Sequence, residues 1–319
     1  MNDYVPFQTP NLVWDSTIAI YLFLLGVASG STLLAVLYKR CRKLANPSES
    51  WIIRSTAVLA PGSVTIGLLL LIFHLTKPWT FWYLMFNYQF NSIMSMGVML
   101  FQVYMAVFFL WAAIVFKELI ATLITRFLPP LKFVVKLLNI AEKFINPIEI
   151  LLLVLAVLLG VYTGFLLSDL ISYPMLNTLW LPVLFLASGT SSGIAALIVA
   201  VLLVGRQSTD SNEIHFLHKF ERPTVLFEIL MLIGFFTNLY LGGGQQTVAV
   251  QNALSGFWGT VFWTGVVGVG IAFPLISSLI ASKKLQHTKG FMLLLAFAGL
   301  AGVVCLRYFI LYAGQMTIY

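Results

Sequence analysis

The polar side chains of this otherwise apolar protein fall into a few clusters. The first is Phe73–Trp82 (FHLTKPWTFW), where His74 is followed by Lys77, a helix-stopping proline and two tryptophans. Tryptophan collects at the membrane–water boundary, where an apolar ring and a polar edge are both satisfied. His74 is therefore expected at a membrane interface, beside a cation and under an aromatic cover. An imidazole there suits proton removal from an amphipathic, lipid-dissolved substrate, because its ordinary titration range spans neutral pH. The plainer reading is an interfacial anchor with an incidental histidine. Other polar residues belong to the same level: Trp14, Asp15 and Tyr21 at the start of the first apolar run, and Tyr162 near the end of the fourth. Asn91, Ser95 and Gln102 are spaced 4 and 7 apart, which predicts one shared helix face. Taken singly, Tyr21 and Tyr162 read as span-end packing and Asp15 as a helix N-cap. Their convergence on one face argues for a site.

The elements that hold these residues follow from composition. Hydrophobic residues make up 60% of the sequence and charged residues 9%, with a mean hydropathy of +0.96, which excludes a soluble globular domain. A helical span needs about 20 mostly apolar residues. Eight segments qualify, approximately 16–38, 55–75, 93–116, 147–168, 179–204, 223–241, 257–280 and 291–313. The prediction is an all-α integral membrane protein.

The net charge of +7 does not signal nucleic acid, because the basic residues lie between spans. Sixteen of the 18 follow the odd-numbered spans: Lys39, Arg40, Arg42, Lys43 and Arg54; Lys117, Arg126, Lys132, Lys136 and Lys143; Arg206, Lys219 and Arg222; Lys283, Lys284 and Lys289. Only Lys77 lies on the opposite side, and Arg307 is inside span eight. The positive-inside rule then places both termini and the His74 loop away from the cytoplasm. The first seventeen residues hold Asp3 and Asp15 but no Lys or Arg, so no cleavable signal is expected.

A faint repeat is visible. Gly26-Val27-Ala28-Ser29-Gly30 in span one is echoed by Gly189-Thr190-Ser191-Ser192-Gly193 in span five, and both are small-xxx-small patterns that let backbones approach closely. The expected organisation is two four-helix bundles, residues 1–170 and 171–319, with a small-molecule site near the outer face of the first.

Redox chemistry within the protein is limited by its ligands. A bis-His haem needs two imidazoles within the spans, and His215, His218 and His287 fall in loops, leaving only His74. Cys41 and Cys305 are too few for an iron–sulfur cluster, and no metal ligand set is expected. If the protein does redox work, substrate and electron acceptor must therefore meet on one side. A quinol fits: it dissolves in the bilayer, has an apolar tail and loses protons as its electrons leave. His74 and Asp15 are the candidate proton-handling residues, with Tyr21, Tyr162, Trp14, Lys77 and Asn91 around the ring. Charges within spans default to functional hypotheses. Glu149, placed just inside the cytoplasmic boundary where it can be solvated, Glu228, Arg307 and Gln102 are candidates for a proton path. The rival classes are a proton-coupled transporter, disfavoured because no span is evidently broken at mid-membrane, and a passive membrane anchor.

Six stretches carry a resemblance: Ile18–Leu24 (IAIYLFL), Phe73–Trp82, Ser95–Gln102 (SMGVMLFQ), Leu155–Ser168 (LAVLLGVYTGFLLS), Leu181–Leu186 (LPVLFL) and Phe309–Gln315 (FILYAGQ). In this order, and over nearly its whole length, the sequence resembles the NrfD/PsrC family of membrane subunits. The resemblance implies eight spans, no tightly bound cofactor, and menaquinol oxidation at the periplasmic face. It also implies a periplasmic ferredoxin-like iron–sulfur partner (NrfC-type), with electrons passing on to c-type cytochromes and nitrite. Polysulfide-reductase-type members place an Asn and a His on the first helix to hold the quinone. The matching positions here are Ile18 and Tyr21, which shifts weight to Asp15 and His74, while the family's Tyr on helix four matches Tyr162.

Overall fold

The computed structural model describes Phe7 and residues 12–44, 46–75, 77–127 and 132–316; Thr76 of the His74 stretch and both extreme termini lie outside them. The described residues form helices and the turns that join them, with no strand. In sequence order the helices are α1 (Ser16–Arg42), α2 (Trp51–His74), the short α3 (Phe81–Leu84), α4 (Ile93–Val115), α5 (Lys117–Phe127), α6 (Lys132–Glu142), α7 (Ile145–Ser168), α8 (Trp180–Leu203), α9 (Asn212–Leu241) and α10 (Gly244–Ala253). Then come α11 (Gly256–Thr260), a π-helical stretch Val261–Ala272, α12 (Phe273–Ile280), α13 (Lys283–Gln286) and α14 (Lys289–Gln315). Among the described residues, eight helical runs are long and apolar enough to cross a membrane: α1, α2, α4, α7, α8, α9, the continuous Gly256–Ile280 run and α14.

Helix ends follow local chemistry. The Asp15 carboxylate caps α1 by accepting from the Thr17 amide at 2.9 Å, and Lys39, Arg40 and Arg42 occupy its last turn, where cations oppose the helix dipole. Helix α2 opens at Trp51, earlier than the apolar run predicts, because the Glu213 carboxylate accepts from the Trp51 amide at 2.8 Å and the Ser50 hydroxyl at 2.7 Å. Helix α9 likewise starts well before position 223. Ser211 caps it, and Pro223 is accommodated inside the helix.

Two findings depart from the expected organisation. The 117–143 loop is built from the amphipathic α5 and α6, joined by a Lys117–Glu142 ion pair at 2.5 Å. Span seven is unbroken, but its middle is π-wound. Its Gly265 and Gly270, five residues apart and so in step with π-type i→i+5 bonding, both face α14, on Cys305 and Gly302.

Helix α1 is the centre of the molecule, packing against α2, α7, α8 and α14. The most apolar window of α1 is 72% buried, whereas that of span seven is 6% buried. The α1–α8 contact is made by the two glycine motifs of the faint repeat, which pack face to face. A Cβ on Gly30 would lie 2.3 Å from the Gly189 carbonyl oxygen, and one on Gly193 2.4 Å from the Gly30 carbonyl carbon. Ser29 donates to the Ala156 carbonyl at 2.7 Å, tying α1 to α7, and Thr32 and the Tyr104 hydroxyl hydrogen-bond at 2.7 Å, tying it to α4. Side-chain hydroxyl bonds of this kind join helices where hydrocarbon supplies no hydrophobic drive.

Candidate functional site at the His74 end

The ends of α1 and α2 bring two of the sequence candidates together. His74 is the last residue of α2 and Asp15 caps α1, and His74 Nδ1 stands 3.6 Å from Asp15 Oδ1. Both side chains are partly open to solvent. Asp15 thus has two tasks, since the same Oδ1 also receives the Thr17 amide.

Beside this pair an apolar cavity of about 240 Å³ opens between α2, α4 and the α3 turn. Leu68, Leu71, Ile72 and Leu75 form one wall and Met94, Val98, Phe101 and Met105 the other. Phe81, Leu84 and Met85 cover it, and Gln102 is the sole polar residue of the lining. Gln102 pins that cover: its Nε2 donates to the Met85 carbonyl at 3.1 Å, and its Oε1 accepts from the Tyr88 hydroxyl.

Phe101 is the back wall, and behind it lie both tyrosines. The Phe101 ring meets Tyr21 at 6.4 Å and Tyr162 at 5.4 Å between centroids, both edge-on. At ~1.5 Å rise per residue this layer is roughly 10 Å below the His74–Asp15 level. Tyr21 is fully buried, and the Tyr162 hydroxyl is the polar neighbour of its own. Tyr162 is 7% exposed and packs so closely on α4 that only a glycine, Gly97, leaves room for its ring.

The other candidates separate. Trp14 joins the site through its backbone: the Gln315 side chain accepts from the Val13 and Trp14 amides at 2.9 Å each and donates to the Trp14 carbonyl at 2.8 Å. Lys77 is exposed and precedes the turn Pro78–Thr80, its carbonyl accepting from the Thr80 hydroxyl at 2.8 Å. Asn91 lies in the turn before α4, so it does not share a helix face with Ser95 and Gln102. Ser92 caps the helix, and Ser95 instead accepts from the Gln89 amide at 2.8 Å.

Glu149, Glu228 and Arg307 lie away from this site. Glu149 is buried at the opposite end of the bundle, where Lys39 contacts it, Arg40 Nη1 is 3.3 Å away and Trp111 Nε1 donates at 3.4 Å. The expected solvation of Glu149 is replaced by a closed ion-pair cluster, because three helices converge on it. Arg307 is fully buried, with Nη2 donating to the Phe185 carbonyl at 3.2 Å and its guanidinium carbon 3.7 Å from the Phe185 ring centroid. Ser191 of α8 and Arg307 of α14 are the polar neighbours of buried Glu228, with no Glu228–Arg307 contact within ion-pair distance among the described residues. Among the described residues no group of three or more His, Cys, Asp or Glu is placed to hold a metal ion.

A family model described as polysulphide reductase, NrfD, matches residues 4–319. The chain belongs to the NrfD/polysulfide reductase family. It is 59% identical to a Haemophilus influenzae protein named as an NrfD homolog, over 99% of each sequence, and 48% identical to Escherichia coli NrfD over 98% of each. It is also 40% identical to the C subunit of polysulfide reductase from Wolinella succinogenes, over 97% of this sequence and 96% of the other. It is thus a membrane subunit of the oxidoreductase class that this family serves. Sequence reasoning missed Phe101, Gln315 and Gly97. All three lie within stretches that carry the resemblance, Ser95–Gln102 and Phe309–Gln315, but by residue type only Gln315, an amide in an apolar span, stands out.

Proposed function

We propose that the protein is the quinol-oxidising subunit of a respiratory complex in the bacterial inner membrane, with the His74 end facing the periplasm. The carrying observation is the His74–Asp15 approach at 3.6 Å beside an apolar cavity whose wall belongs to the same turn of α2. Menaquinol, the substrate, reaches the cavity from the lipid between α2 and α4. It gives up two electrons and two protons to become menaquinone. His74 accepts a proton from a quinol hydroxyl, passes it to water at the outer face and then takes the second by the same route; Asp15 orients the imidazole and balances the charge it gains. Tyr21 and Tyr162 hold the aromatic back wall in register through Phe101, and a rotated Phe101 ring opens their paired hydroxyls to the far quinol oxygen.

Electrons leave to a periplasmic ferredoxin-like iron–sulfur subunit (NrfC-type) seated over the Phe81–Asn91 cover and the outer loops. From there they pass to c-type cytochromes and nitrite. The names of the Haemophilus and Escherichia relatives favour this route over the sulfur chemistry in the Wolinella name, since identity to them is higher. In this reading residues 1–170 form the quinol bundle and 171–319 a second bundle.

A proton-coupled transport reading draws on one observation, the fully buried Arg307, whose Nε and Nη1 have no hydrogen-bond partner among the described residues. The deciding experiment is quinol-dependent reduction of a soluble acceptor by the purified complex, run beside substrate counterflow in proteoliposomes without quinol. Acceptor reduction supports the redox reading; counterflow with no reduction overturns it.

A further inference from the structure

At the basic end, opposite the His74 site, α9 and the α12–α14 hairpin enclose a larger cavity of about 440 Å³. Its shape follows from how spans six and seven diverge. They touch at the other end, where Phe236 of α9 meets Phe262 at 5.1 Å between ring centroids. Towards the basic end they part around Pro223 and Pro274, and α14 closes the gap from behind.

The lining has two chemistries in one space. Val225, Leu275, Phe291, Met292 and Leu295 form an apolar floor on the membrane side. The rim carries Lys219, Arg222, one carboxylate, Glu221, and all three histidines outside the His74 site, His215, His218 and His287. The neighbouring acids are already engaged: Glu221 with His218 Nδ1 at 2.5 Å, and Asp210 with His287 Nδ1 at 2.7 Å. Lys219 and Arg222 line the rim and are in no ion pair among the described residues. The rim therefore presents two free cations directly above an apolar slot.

We propose that this cavity binds one anionic phospholipid, with Lys219 and Arg222 on its phosphodiester and an acyl tail on the Val225–Leu295 floor. A soluble anion would use the cations and leave the floor wet, and a neutral quinone would use the floor and leave the cations unpaired. Only an amphipathic anion satisfies both. The volume falls in the ~300–1,000 Å³ range of sites that enclose small ligands. Basic side chains near an anionic headgroup each contribute about one power of ten or somewhat less in affinity.

The test is native mass spectrometry of the purified protein, delipidated and then titrated with phosphatidylglycerol or phosphatidylcholine. Wild type should retain one phosphatidylglycerol and discriminate against phosphatidylcholine, and the Lys219→Gln/Arg222→Gln double variant should bind it roughly 10- to 30-fold more weakly. Lys284→Gln/Lys289→Gln, which alters lysines outside the lining, should bind as wild type does. Equal loss in that control reduces the effect to general attraction and overturns the site, as does retention of phosphatidylglycerol in the first variant. Millimolar inorganic phosphate should not displace the lipid; displacement would assign the site to free phosphate and also overturn the proposal. Val225→Phe, which fills the floor without touching charge, gives a second route to the same loss if the double variant fails to fold.

Discussion

A Cβ placed on Gly97 of α4 would stand 2.1 Å from the Tyr162 hydroxyl oxygen and 2.1 Å from its ring carbon Cζ. The Tyr162 ring thus occupies the space a side group on α4 would fill, and its position fixes that of Phe101. Gly97→Ala should push Tyr162 aside, at the ~1–3 kcal/mol typical of overpacking. In detergent-solubilised protein the unfolding midpoint should fall, and quinol turnover should fall with it. Unchanged turnover in a folded Gly97→Ala protein would detach the tyrosine layer from the chemistry.

The His74–Asp15 pair separates proton transfer from helix capping. His74→Gln retains hydrogen bonding but cannot take a proton at neutral pH, so menaquinol-dependent electron transfer per assembled complex should drop ~10²–10⁴-fold. Asp15→Asn preserves a good N-cap, so any loss of turnover in it reports on the charge. Asp15→Ala should add a stability cost of ~0.5–2 kcal/mol from the lost cap. Near-normal turnover in His74→Gln would leave the residue as an interfacial anchor.

Glu149 is a buried carboxylate with cations on one side, Lys39 and Arg40. Replacing both cations, Lys39→Met with Arg40→Met, strands the charge, and such losses run at ~3–5 kcal/mol. Yield and thermal stability should collapse, and Glu149→Gln in the same background should restore much of both. A failed rescue would mean that the cations act elsewhere, for example in setting topology.

The α1–α8 seam has no flexible side group that could yield. Gly193→Ala places a Cβ 2.4 Å from backbone of α1, so the folded protein should be lost at the solubilisation step. Gly62→Ala in α2, with nothing within 4 Å of its Cβ, serves as a matched control and should be stable or slightly stabilised, by up to ~1 kcal/mol. Equal behaviour of the two would show that the seam tolerates separation.

Sidedness is tested by labelling. With Cys41 and Cys305 replaced, a cysteine at exposed Phe86 should react with an impermeant maleimide added from the periplasm, and one at Lys136 should react only after permeabilisation. The opposite pattern inverts the orientation and moves the iron–sulfur partner to the other face.

The spans are readable in the sequence because twenty apolar residues admit few alternatives, and seven of the eight predicted starts fall within four residues of the helices. The exception is α9, whose true start is set by Ser211 and tolerates Pro223. Periodicity carries no information on π-winding, which depends on Gly265 and Gly270 finding α14. In the site, charge and aromatic type point to His74, Asp15, Tyr21 and Tyr162. Phe101 is invisible, since a phenylalanine in a span advertises packing whether it faces lipid or a ligand. Asn91 is misplaced by extending helical spacing past the cap of α4, Ser92.

The Gln315 side chain grips the backbone of Val13 and Trp14 with three hydrogen bonds, immediately ahead of the residue that approaches His74. Of the eight spanning helices, α14 is the last to leave the ribosome. Asp15 therefore gains its final anchor only after every other span has been delivered to the bilayer. A nascent polypeptide halted before α14 carries His74 and Asp15 but lacks the clamp that steadies their approach. The backbone ahead of Asp15 is thus anchored only once α14 is in place.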